Sequence, residues 1–376
     1  MKTSRLKILH VVISLNPGGM ENGVANVARG LSPEEFEIHV CCLERSGSFA
    51  QRLPQLENVH VLHKPPGFSP GTIWRLNRLI ARLRPDIIHT HNLGPLIYGG
   101  LATGFGFLRP LLHGEHHLLQ ADELTHRRLR QRTVFYRACK KIHTVSGGVR
   151  EQLLGLGFPA EKIVTLLNGV DYERFQTGDS RAARRQIGVP EAGIFLGIVG
   201  RFIPTKQHRI LLEAFTCLAR TRSDIHLMLI GGGGSEEKSI LRMANASEFA
   251  ARIHCTGFQN ELPPYYQALD LLVVPSFHEG LSNAVLEAMA CGVPVLAHPA
   301  CGTTEVISSG QDGIIADLQT ADKLERQLEQ LLARPENLPK LGAAARENIL
   351  RRFSIEIMTE RYRQLYQTLA GGDAIK

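Results

Sequence analysis

Short apolar runs alternate with longer amphipathic stretches along the whole chain of 376 residues. The apolar runs predict buried β-strands, and the stretches with helical spacing predict helices that cover them. In the first half the predicted strands are residues 8–14, 38–42, 59–62, 87–90, 142–145 and 163–167. In the second half they are residues 195–199, 226–230, 253–256, 271–274 and 295–297. The predicted helices between them include residues 21–30, 73–83, 209–220, 236–249, 265–269 and 283–290.

This alternation predicts an α/β protein with two doubly wound, Rossmann-like domains, because strands that alternate with helices form parallel sheets. The chain is also longer than one ordinary domain. We place the domains at residues 1–172 and 173–354, with a polar linker at 171–192. Ligands of such sheets bind beyond the carboxyl ends of the strands. The loops at 16–21, 91–92, 114–117, 200–206 and 231–234 are therefore expected to line one cleft between the domains.

The formal net charge is +7, and the whole excess lies in the first half. Residues 1–172 hold 21 Lys+Arg against 13 Asp+Glu, whereas the remaining residues hold 22 against 23. The arginines concentrate at positions 75, 78 and 82 and at positions 127, 128, 130, 132 and 137. A basic half suits an anionic membrane surface or a lipid-phosphate acceptor, with ordinary solubility charge as the alternative. Nucleic acid is disfavoured because few aromatic residues are interleaved with the arginines.

The most informative pattern is a pair of carboxylates, Glu279 and Glu287, separated by seven residues. The apolar run before them predicts a strand, and the residues around Glu287 predict a helix that ends near Gly292. Backbone N–H groups around Ser282, Asn283 and Ala284 would then lie at a helix N-terminus, which favours an anion such as a diphosphate. A carboxylate on each side suits sugar and ribose hydroxyls. The alternative is a helix cap with a solvated glutamate.

Several other loop residues have the chemistry of an anion or sugar site. Arg201 and Lys206 lie five residues apart after a predicted strand and suit a diphosphate, with two solvated loop cations as the alternative. Gly18 and Gly19 permit a close approach of the backbone to a ligand, although a simple turn has the same pattern. His116 can contact a sugar hydroxyl or an acceptor phosphate, and a structural histidine is the alternative.

Other signals narrow the chemistry and the compartment. No D-x-D motif occurs, so a metal held between two aspartates and a diphosphate is unsupported, and we expect no cofactor. Seven cysteines without a C-x-x-C spacing suggest reduced thiols in a cytosolic protein. The apolar start of the chain leads into a glycine turn rather than a cleavage site, which favours a first strand over a signal peptide.

These residues resemble the retaining glycosyltransferase family 4, which has the GT-B architecture of two Rossmann-like domains facing across a cleft. The pair Glu279 and Glu287 resembles the E-x7-E signature of that family. Gly200-Arg201 with Lys206 resembles its G-R-x-x-x-x-K loop, although Gln207 stands where the family commonly has glycine. The N-G-V-D segment at 168–171 and the loop with Gly18 and Gly19 are further similarities. The resemblance covers essentially the whole chain.

The resemblance implies roles for the candidate residues. Glu279 would bind hydroxyls of the donor sugar, and Glu287 would bind the ribose. Arg201 and Lys206 would hold the diphosphate, helped by the backbone at Leu281, Ser282, Asn283 and Ala284. The loop with Gly18 and Gly19 would close over the diphosphate and the acceptor, and His116 would lie beside the donor sugar. A final helix at 355–376 would cross back onto the first domain.

The function that follows is a metal-independent hexosyltransferase that uses a nucleotide-sugar donor and a glycan or lipid-linked acceptor in bacterial cell-surface polysaccharide biosynthesis. Two segments, at 62–67 and 114–117, are similar to a subgroup linked to exopolysaccharide. We expect a cytoplasmic protein, with peripheral contact to anionic membrane at the inner face of the plasma membrane. The alternatives are a sugar-nucleotide epimerase of the same fold and a non-catalytic scaffold that binds sugar nucleotides.

Overall fold

The computed structural model describes residues 5–371, apart from the side chain of Cys301. The chain divides into two compact units, each with its own hydrophobic core. Unit 1 comprises Met1–Gly169 with Ile355–Lys376, and unit 2 comprises Val170–Ser354. The predicted first domain and final helix extend to residues 1–4 and 372–376, which lie outside the described residues.

Unit 1 is built on a parallel sheet with the strand order β3-β2-β1-β4-β5-β6-β7. Its strands are β1 (Leu6–Ser14), β2 (Phe36–Arg45), β3 (Val59–Val61), β4 (Ile87–His91), β5 (Leu111–Glu115), β6 (Cys139–Thr144) and β7 (Ile163–Thr165). Its helices are α1 (Gly19–Gly30), α2 (Pro70–Leu83), α3 (Leu93–Ala102), α4 (His126–Ala138) and α5 (Gly147–Gly155), and the C-terminal helix also belongs to this unit. The order reverses between β1 and β4, as in doubly wound folds.

Unit 2 is built on a second parallel sheet with the order β10-β9-β8-β11-β12-β13. Its strands are β8 (Ile194–Val199), β9 (Ile225–Ile230), β10 (Ile253–Gly257), β11 (Leu271–Val274), β12 (Val295–Ala297) and β13 (Ile314–Ile315). Its helices are α6 (Ser180–Ile187), α7 (His208–Ala219), α8 (Glu237–Ala246), α9 (Pro263–Gln267), α10 (Asn283–Ala290), α11 (Cys301–Val306), α12 (Ala321–Leu332) and α13 (Leu338–Arg352). The chain then returns to unit 1 as α14 (Ile355–Gly371).

Local sequence explains where individual helices begin and end. Helix α2 begins at Ser69, whose hydroxyl accepts a hydrogen bond from the Thr72 N–H, and Pro70 follows in the first turn. Helix α6 begins at Asp179, which caps the Ala182 N–H, and ends at Gly188 with a φ of 76°. These are the capping residues that the physics of unsatisfied helix ends favours.

Helix α14 completes the core of unit 1. Its buried side chains Met358, Tyr362 and Tyr366 pack with apolar residues of β1, β4 and β5 in one cluster. Close packing against α1 requires Gly30, because a Cβ there would lie 2.3 Å from the Thr359 methyl group. The last helix is therefore part of the sheet-covering layer of unit 1.

The structure corrects two details of the sequence prediction. The segment 171–192 is not an extended linker, because it contains α6, whose buried Arg184 donates a hydrogen bond to Asp270 at 2.7 Å. Gly114 and Glu115 do not lie in a loop, since both belong to strand β5.

Among residues 5–371, no helix has both the length and the apolarity needed to cross a bilayer.

Candidate functional site

The candidate residues of unit 2 lie at the centre of its sheet. Strands β8 and β11 are direct neighbours, and the order of the sheet reverses between them. The loop with Arg201 and Lys206 follows β8, and the segment with Glu279 follows β11 and leads into α10. The carboxyl ends of strands at such a reversal form the usual ligand crevice of doubly wound sheets.

Glycines allow the loop that contains Arg201 to pack against the neighbouring loop at 231–234. The Phe202 N–H donates to Gly233 O at 2.8 Å, and the Glu236 N–H donates to Phe202 O at 2.9 Å. A Cβ at Gly234 would lie 2.3 Å from Phe202 O, and one at Gly231 would lie 2.2 Å from Gly200 O. The glycine run at 231–234 therefore allows its loop to lie close to the loop that contains Arg201, and this contact sets the position of the Arg201 loop.

Arg201 and Lys206 differ in their surroundings although they share one loop. The Arg201 side chain is exposed and makes no hydrogen bond or ion pair with any residue of the described chain. The ammonium of Lys206 forms a short ion pair with the Glu279 carboxylate, and the two side chains are 20% and 13% exposed. The structure thus brings one predicted cation and one predicted carboxylate into direct contact.

The start of α10 has an unsatisfied polar group. Ser282 occupies the N-cap position, but its side chain makes no capping hydrogen bond. Its hydroxyl oxygen is buried and has no partner in the described part of the chain. Leu281 is buried, whereas Asn283 and Ala284 are half-buried at the first turn. An anion at this helix N-terminus would satisfy N–H groups and the hydroxyl together.

Glu287 lies in the second turn of α10 and is only 8% exposed. Its Oε2 accepts a hydrogen bond from the Tyr266 hydroxyl at 2.8 Å. Burial, together with the nearby Glu287 charge, raises the pKa of Tyr266 well above its ordinary value, so the phenol stays protonated and donates. Tyr266 was not predictable as a site residue, since its separation of 21 residues from Glu287 matches no recognisable spacing.

A buried histidine lies beside the cation loop. His208 begins α7, is fully buried, and packs on the Phe202 ring at 4.5 Å between centroids. Neither of its ring nitrogens has a partner among the described residues. Burial, with a smaller contribution from Lys206, lowers the pKa of His208 to about 3. The imidazole is therefore neutral at physiological pH.

In unit 1, the predicted glycine loop precedes α1 at the end of β1. Gly18 has an extended backbone at the N-cap position, and Gly19 is the first helical residue. A Cβ at Gly18 would lie 2.3 Å from a carboxylate oxygen of Glu21. The missing side chain thus leaves room for Glu21, which lies in the first turn where a negative charge is favoured.

Five histidines of unit 1, four of them buried and His116 half-buried, form a cluster that no sequence pattern predicts. The ring nitrogens of His91 lie 2.9 Å from those of His10 on one side and of His116 on the other. His89 lies 2.9 Å from His143 through their Nε2 atoms. The hydroxyl of Tyr366 joins the two parts, at 2.8 Å from His89 and 3.3 Å from His10.

Burial sets the charge of this cluster. It lowers the pKa of His10 and of His116 to about 3. It also lowers the pKa of His89, His91 and His143 well below the ordinary value, with further contributions from neighbouring imidazoles. Neutral imidazoles each keep one lone pair, and two triplets, His10–His89–His91 and His91–His116–His143, have nitrogens within 4.8 Å of one another. Either triplet has the donor atoms for a metal ion.

Glu115 lies on the other face of β5, in a separate buried network. Its Oε1 accepts hydrogen bonds from Arg132 at 3.0 Å and from Tyr136 at 2.5 Å, and His113 lies 3.3 Å away. Burial alone would raise the pKa of this carboxyl, but His113 and Arg132 outweigh it and hold the pKa well below the usual range. Glu115 is therefore a buried carboxylate whose charge is compensated by its partners.

Comparison with protein families identifies relatives along most of the chain. Residues 17–174 match the family described as Glycosyltransferase Family 4, and residues 179–348 match the family described as Glycosyl transferases group 1. These ranges cover the glycine loop of unit 1 and all candidate residues of unit 2.

Individual relatives are similar in sequence over part or most of the chain. A D-inositol 3-phosphate glycosyltransferase of Streptomyces bingchenggensis is 26% identical over 377 residues, which covers 90% of this chain and 82% of that protein. The lipopolysaccharide core biosynthesis glycosyltransferase LpsE of Rhizobium meliloti is 28% identical over 220 residues, covering 58% of this chain and 61% of that protein.

The fold is also similar to solved structures. The crystal structure of Anabaena Alr3699/HepE in complex with UDP-glucose aligns with a TM-score of 0.85 at 22% identity, over 97% of this chain and 100% of that one. At this identity the likeness shows the fold, which is the two-domain architecture predicted from the sequence.

Proposed function

Because the chain belongs to the glycosyltransferases, with matches to family 4 and group 1 and with the GT-B fold, we propose that it is a retaining hexosyltransferase. The donor is a nucleoside-diphosphate sugar, and the acceptor is a glycan or a lipid-linked glycan of bacterial cell-surface polysaccharide biosynthesis. Two similarities support this proposal: a structural relative was solved in complex with UDP-glucose, and LpsE acts in lipopolysaccharide core biosynthesis.

One observation carries the proposal: among the described residues, unit 2 combines an Arg201 guanidinium without a partner and a buried Ser282 hydroxyl without a partner at a helix N-terminus. Both groups are suited to phosphate oxygens, the first as a planar fork of donors and the second as one further donor. Both lie on segments that follow the two central strands of the sheet. We therefore assign this end of unit 2 to the donor diphosphate.

We propose that donor binding separates the Lys206–Glu279 ion pair. The ammonium of Lys206 would exchange the carboxylate for a phosphate oxygen, and Glu279 would then be free to accept hydrogen bonds from sugar hydroxyls. Glu287, oriented by Tyr266, would accept from the ribose hydroxyls. In this proposal the leaving diphosphate is neutralised by Arg201, Lys206 and the α10 N-terminus, without a metal ion bridging its phosphates. The roles of Gly18, Gly19 and His116 at the reacting groups stay predictions.

The first test is thermal-shift screening against UDP, GDP, ADP, TDP and CMP sugars, with and without EDTA. A selective rise in unfolding temperature that survives EDTA supports the donor site, because a ligand that binds the native state stabilises it. Turnover with that donor then separates a transferase from a scaffold, and the appearance of an epimerised nucleotide sugar would identify an epimerase. No shift and no turnover with any donor would contradict the proposal.

The second test assigns the cations. Arg201→Ala and Lys206→Ala are each expected to lower kcat by about 10²–10³, the usual effect of removing one group that stabilises developing negative charge. Arg209→Ala is the matched control, because Arg209 is an exposed arginine of the same unit that donates to Ser239. Normal turnover in both Arg201→Ala and Lys206→Ala would refute the assignment.

We propose that the acceptor and the membrane meet unit 1 at a surface formed by α2, α4 and the loop 103–110. This loop adjoins both helices, because Asn77 of α2 donates to Ala102 O and Phe105 stacks on Phe135 of α4. Eight of the eleven large hydrophobic side chains that are exposed among residues 5–371 belong to unit 1. Five of them, Trp74, Phe105, Phe107, Leu108 and Val134, lie on this surface, and the other three are Leu56, Phe68 and Leu124.

A cavity of unit 1 beside the start of α4 has mixed apolar and basic walls. Its volume is about 660 Å³, and its lining includes Lys64, Arg127 and Arg128 beside Phe68 and Tyr98. Phe68 is exposed, and basic side chains next to an exposed aromatic one are the composition expected at an anionic lipid surface. The cavity therefore suits the phosphate end of a lipid-linked acceptor at the inner face of the plasma membrane.

Co-sedimentation with vesicles tests this surface. We expect the protein to bind vesicles that contain anionic lipid and to bind neutral vesicles more weakly. We also expect Phe107→Ser to weaken binding, because Phe107 is 94% exposed and its side chain is therefore available to a membrane. Leu350→Ser, at an exposed apolar residue of unit 2, is the matched control. Equal binding to both vesicle types would count against the membrane proposal while leaving the donor site untouched.

A further inference from the structure

The cluster of histidines in unit 1 converges on one point above strand β5. We propose that His91, His116 and His143 bind one divalent transition-metal ion of the kind that imidazole prefers, with Zn²⁺ as the representative ion. All three ligands belong to unit 1, whereas the groups assigned to the donor diphosphate belong to unit 2. The metal site shares only His116 with the residues predicted at the reacting groups, and its test does not require turnover.

The geometry is set by a glycine. Gly114 pairs in register with His91 on one side and with His143 on the other. A Cβ at Gly114 would lie 2.4 Å from His143 Nε2 and 2.8 Å from His116 Nε2. His91 Nδ1 is 2.9 Å from the same His116 atom. Three imidazole nitrogens from β4, β6 and the segment after β5 thus surround the space that any larger residue at position 114 would fill.

These separations are compatible with a metal. In tetrahedral zinc sites, Zn–N bonds of about 2.0–2.1 Å place the nitrogens about 3.4 Å apart. The nitrogens of the triplet lie within 4.8 Å of one another, and the nearest two are 2.9 Å apart. To reach this spacing, the nearest two nitrogens would separate by about 0.5 Å, and a pair at the 4.8 Å limit would close by about 1.4 Å.

The protonation states also fit without the loss of a proton. Each neutral imidazole can offer one lone pair to the metal while its other nitrogen keeps the hydrogen. When His91 binds through Nδ1, its Nε2–H donates to His10 Nδ1 at 2.9 Å. His10 can in turn donate through Nε2 to Tyr366, whose hydroxyl donates to His89. His89 then donates through Nε2 to His143 Nε2 at 2.9 Å, so a metal bound to His143 Nε2 replaces this one hydrogen bond. Such a second layer of hydrogen bonds is what fixes the tautomer of metal-binding histidines.

The triplet leaves one coordination position open. His91 and His143 are buried, but His116 is half-buried at the carboxyl end of the sheet. Three neutral ligands with an accessible fourth position are characteristic of zinc sites that bind water or a substrate oxygen. The overlapping triplet His10–His89–His91 is buried throughout, so it provides no such position. The class of ligand at the open position is therefore an oxygen donor, such as water, hydroxyl or phosphate.

The test uses the full chain after removal of metal with a chelator. Co²⁺ reports on coordination through its visible absorption, and Zn²⁺ affinity is measured by competition with a chromophoric chelator. We expect one ion per chain, a tetrahedral Co²⁺ spectrum, and a rise in unfolding temperature with Zn²⁺. His116→Ala and His143→Ala are each expected to weaken Zn²⁺ binding by at least about tenfold, since loss of a ligand exceeds the effect of a second-layer mutation.

The matched control is His226→Ala in unit 2. His226 Nδ1 lies 3.1 Å from His254 Nε2, so this variant also removes one imidazole from a hydrogen-bonded histidine pair. At this place two imidazoles meet, rather than the three of the proposed metal site. It is expected to bind Zn²⁺ like the wild type. Unfolding of each variant without metal checks the fold, and His116, being half-buried beyond the strand, is the substitution that unit 1 tolerates most easily.

Three results would overturn the proposal. The first is that the wild-type chain binds no Co²⁺ or Zn²⁺ at equimolar concentration. The second is that folded His116→Ala retains full affinity, which would place any ion in the deeper triplet or elsewhere. The third is that affinity is lost in His226→Ala, which would identify the ion as bound to the surface pair.

Discussion

The hydrogen bond from Tyr266 to Glu287 gives the sharpest test of how unit 2 is built. The substitution Tyr266→Phe removes one hydroxyl and keeps the ring, which is fully buried and packs on Phe175. Glu287 then stays buried at 8% exposure with one donor fewer. Because the lost bond joins a phenol to a carboxylate, we expect a cost of about 2 kcal/mol in the free energy of unfolding.

Two measurements follow from this value. In a domain of this size, a loss of about 2 kcal/mol lowers the unfolding temperature by roughly 4–8 °C. If Glu287 binds the donor ribose, its looser orientation should also raise the KM for the donor about tenfold while kcat changes little, because the lost interaction is made equally in the ground state and the transition state. Differential scanning calorimetry and steady-state kinetics with the donor found by screening measure the two effects.

The neighbouring tyrosine provides the control. Tyr265 is half-buried, and its hydroxyl makes no hydrogen bond within residues 5–371. Tyr265→Phe therefore removes the same atom without removing a bond, and we expect wild-type stability and kinetics. Equal unfolding temperatures for Tyr266→Phe and Tyr265→Phe would refute the reasoning about the buried bond. A lowered temperature with an unchanged donor KM would refute the role of Glu287.

Two further predictions concern the loops beside this site. Burial lowers the pKa of His208 to about 3, whereas the pKa of this group in the unfolded chain is near 6.5. As the pH falls, the unfolded chain therefore gains a proton first. The stability that is present above pH 6.5 is then lost between pH 6.5 and 3. His208→Leu should therefore gain about 1.4 kcal/mol per pH unit over the wild type in that window, measured by thermal unfolding at pH 7.5 and 5, and parallel pH profiles would contradict it. Gly234→Ala should lower the unfolding temperature more than Gly233→Ala, since both glycines have positive φ but only a Cβ at Gly234 meets backbone, at 2.3 Å from Phe202 O; similar losses in calorimetry would contradict this explanation.

The fold class was predictable from periodicity, and the family matches and the structural relative confirm it. Buried parallel strands are near-continuous apolar runs, and most of them stand out in this sequence. Strand β5 was not among the predicted strands, because His113, Gly114 and Glu115 are polar or small, yet all three are buried. Helix α6 was missed because Arg184 made the segment look solvated, although its guanidinium is buried against Asp270.

The candidate site was predictable where its parts are close in sequence. The spacing of Glu279 and Glu287 and the spacing of Arg201 and Lys206 are both local patterns. The contacts that orient these residues join distant positions, as the Lys206–Glu279 pair and the Tyr266–Glu287 bond show. Such pairs depend on which strands become neighbours, and no spacing in a single sequence encodes that.

The histidine cluster was beyond sequence reasoning for the same cause. His10 and His89 are 79 residues apart, but they are direct partners in the register of β1 and β4. His143 reaches the same place only because β6 pairs with β5, where Gly114 has no side chain. Each histidine alone had a structural interpretation, and their common chemistry follows from the strand order.

The first six strands of each unit are arranged in the same order within their sheet. The units differ in the residues that lie where this order reverses. In unit 2 the reversal lies between β8 and β11, and the loops there supply Arg201, Lys206 and the start of α10. In unit 1 it lies between β1 and β4, and it supplies the glycine loop and His91. A cationic end suits the diphosphate, whereas an end made of glycine and neutral imidazole suits uncharged hydroxyls or a metal ion. Because the sheets are alike, the chemistry of each unit is set by the few residues that follow its central strands.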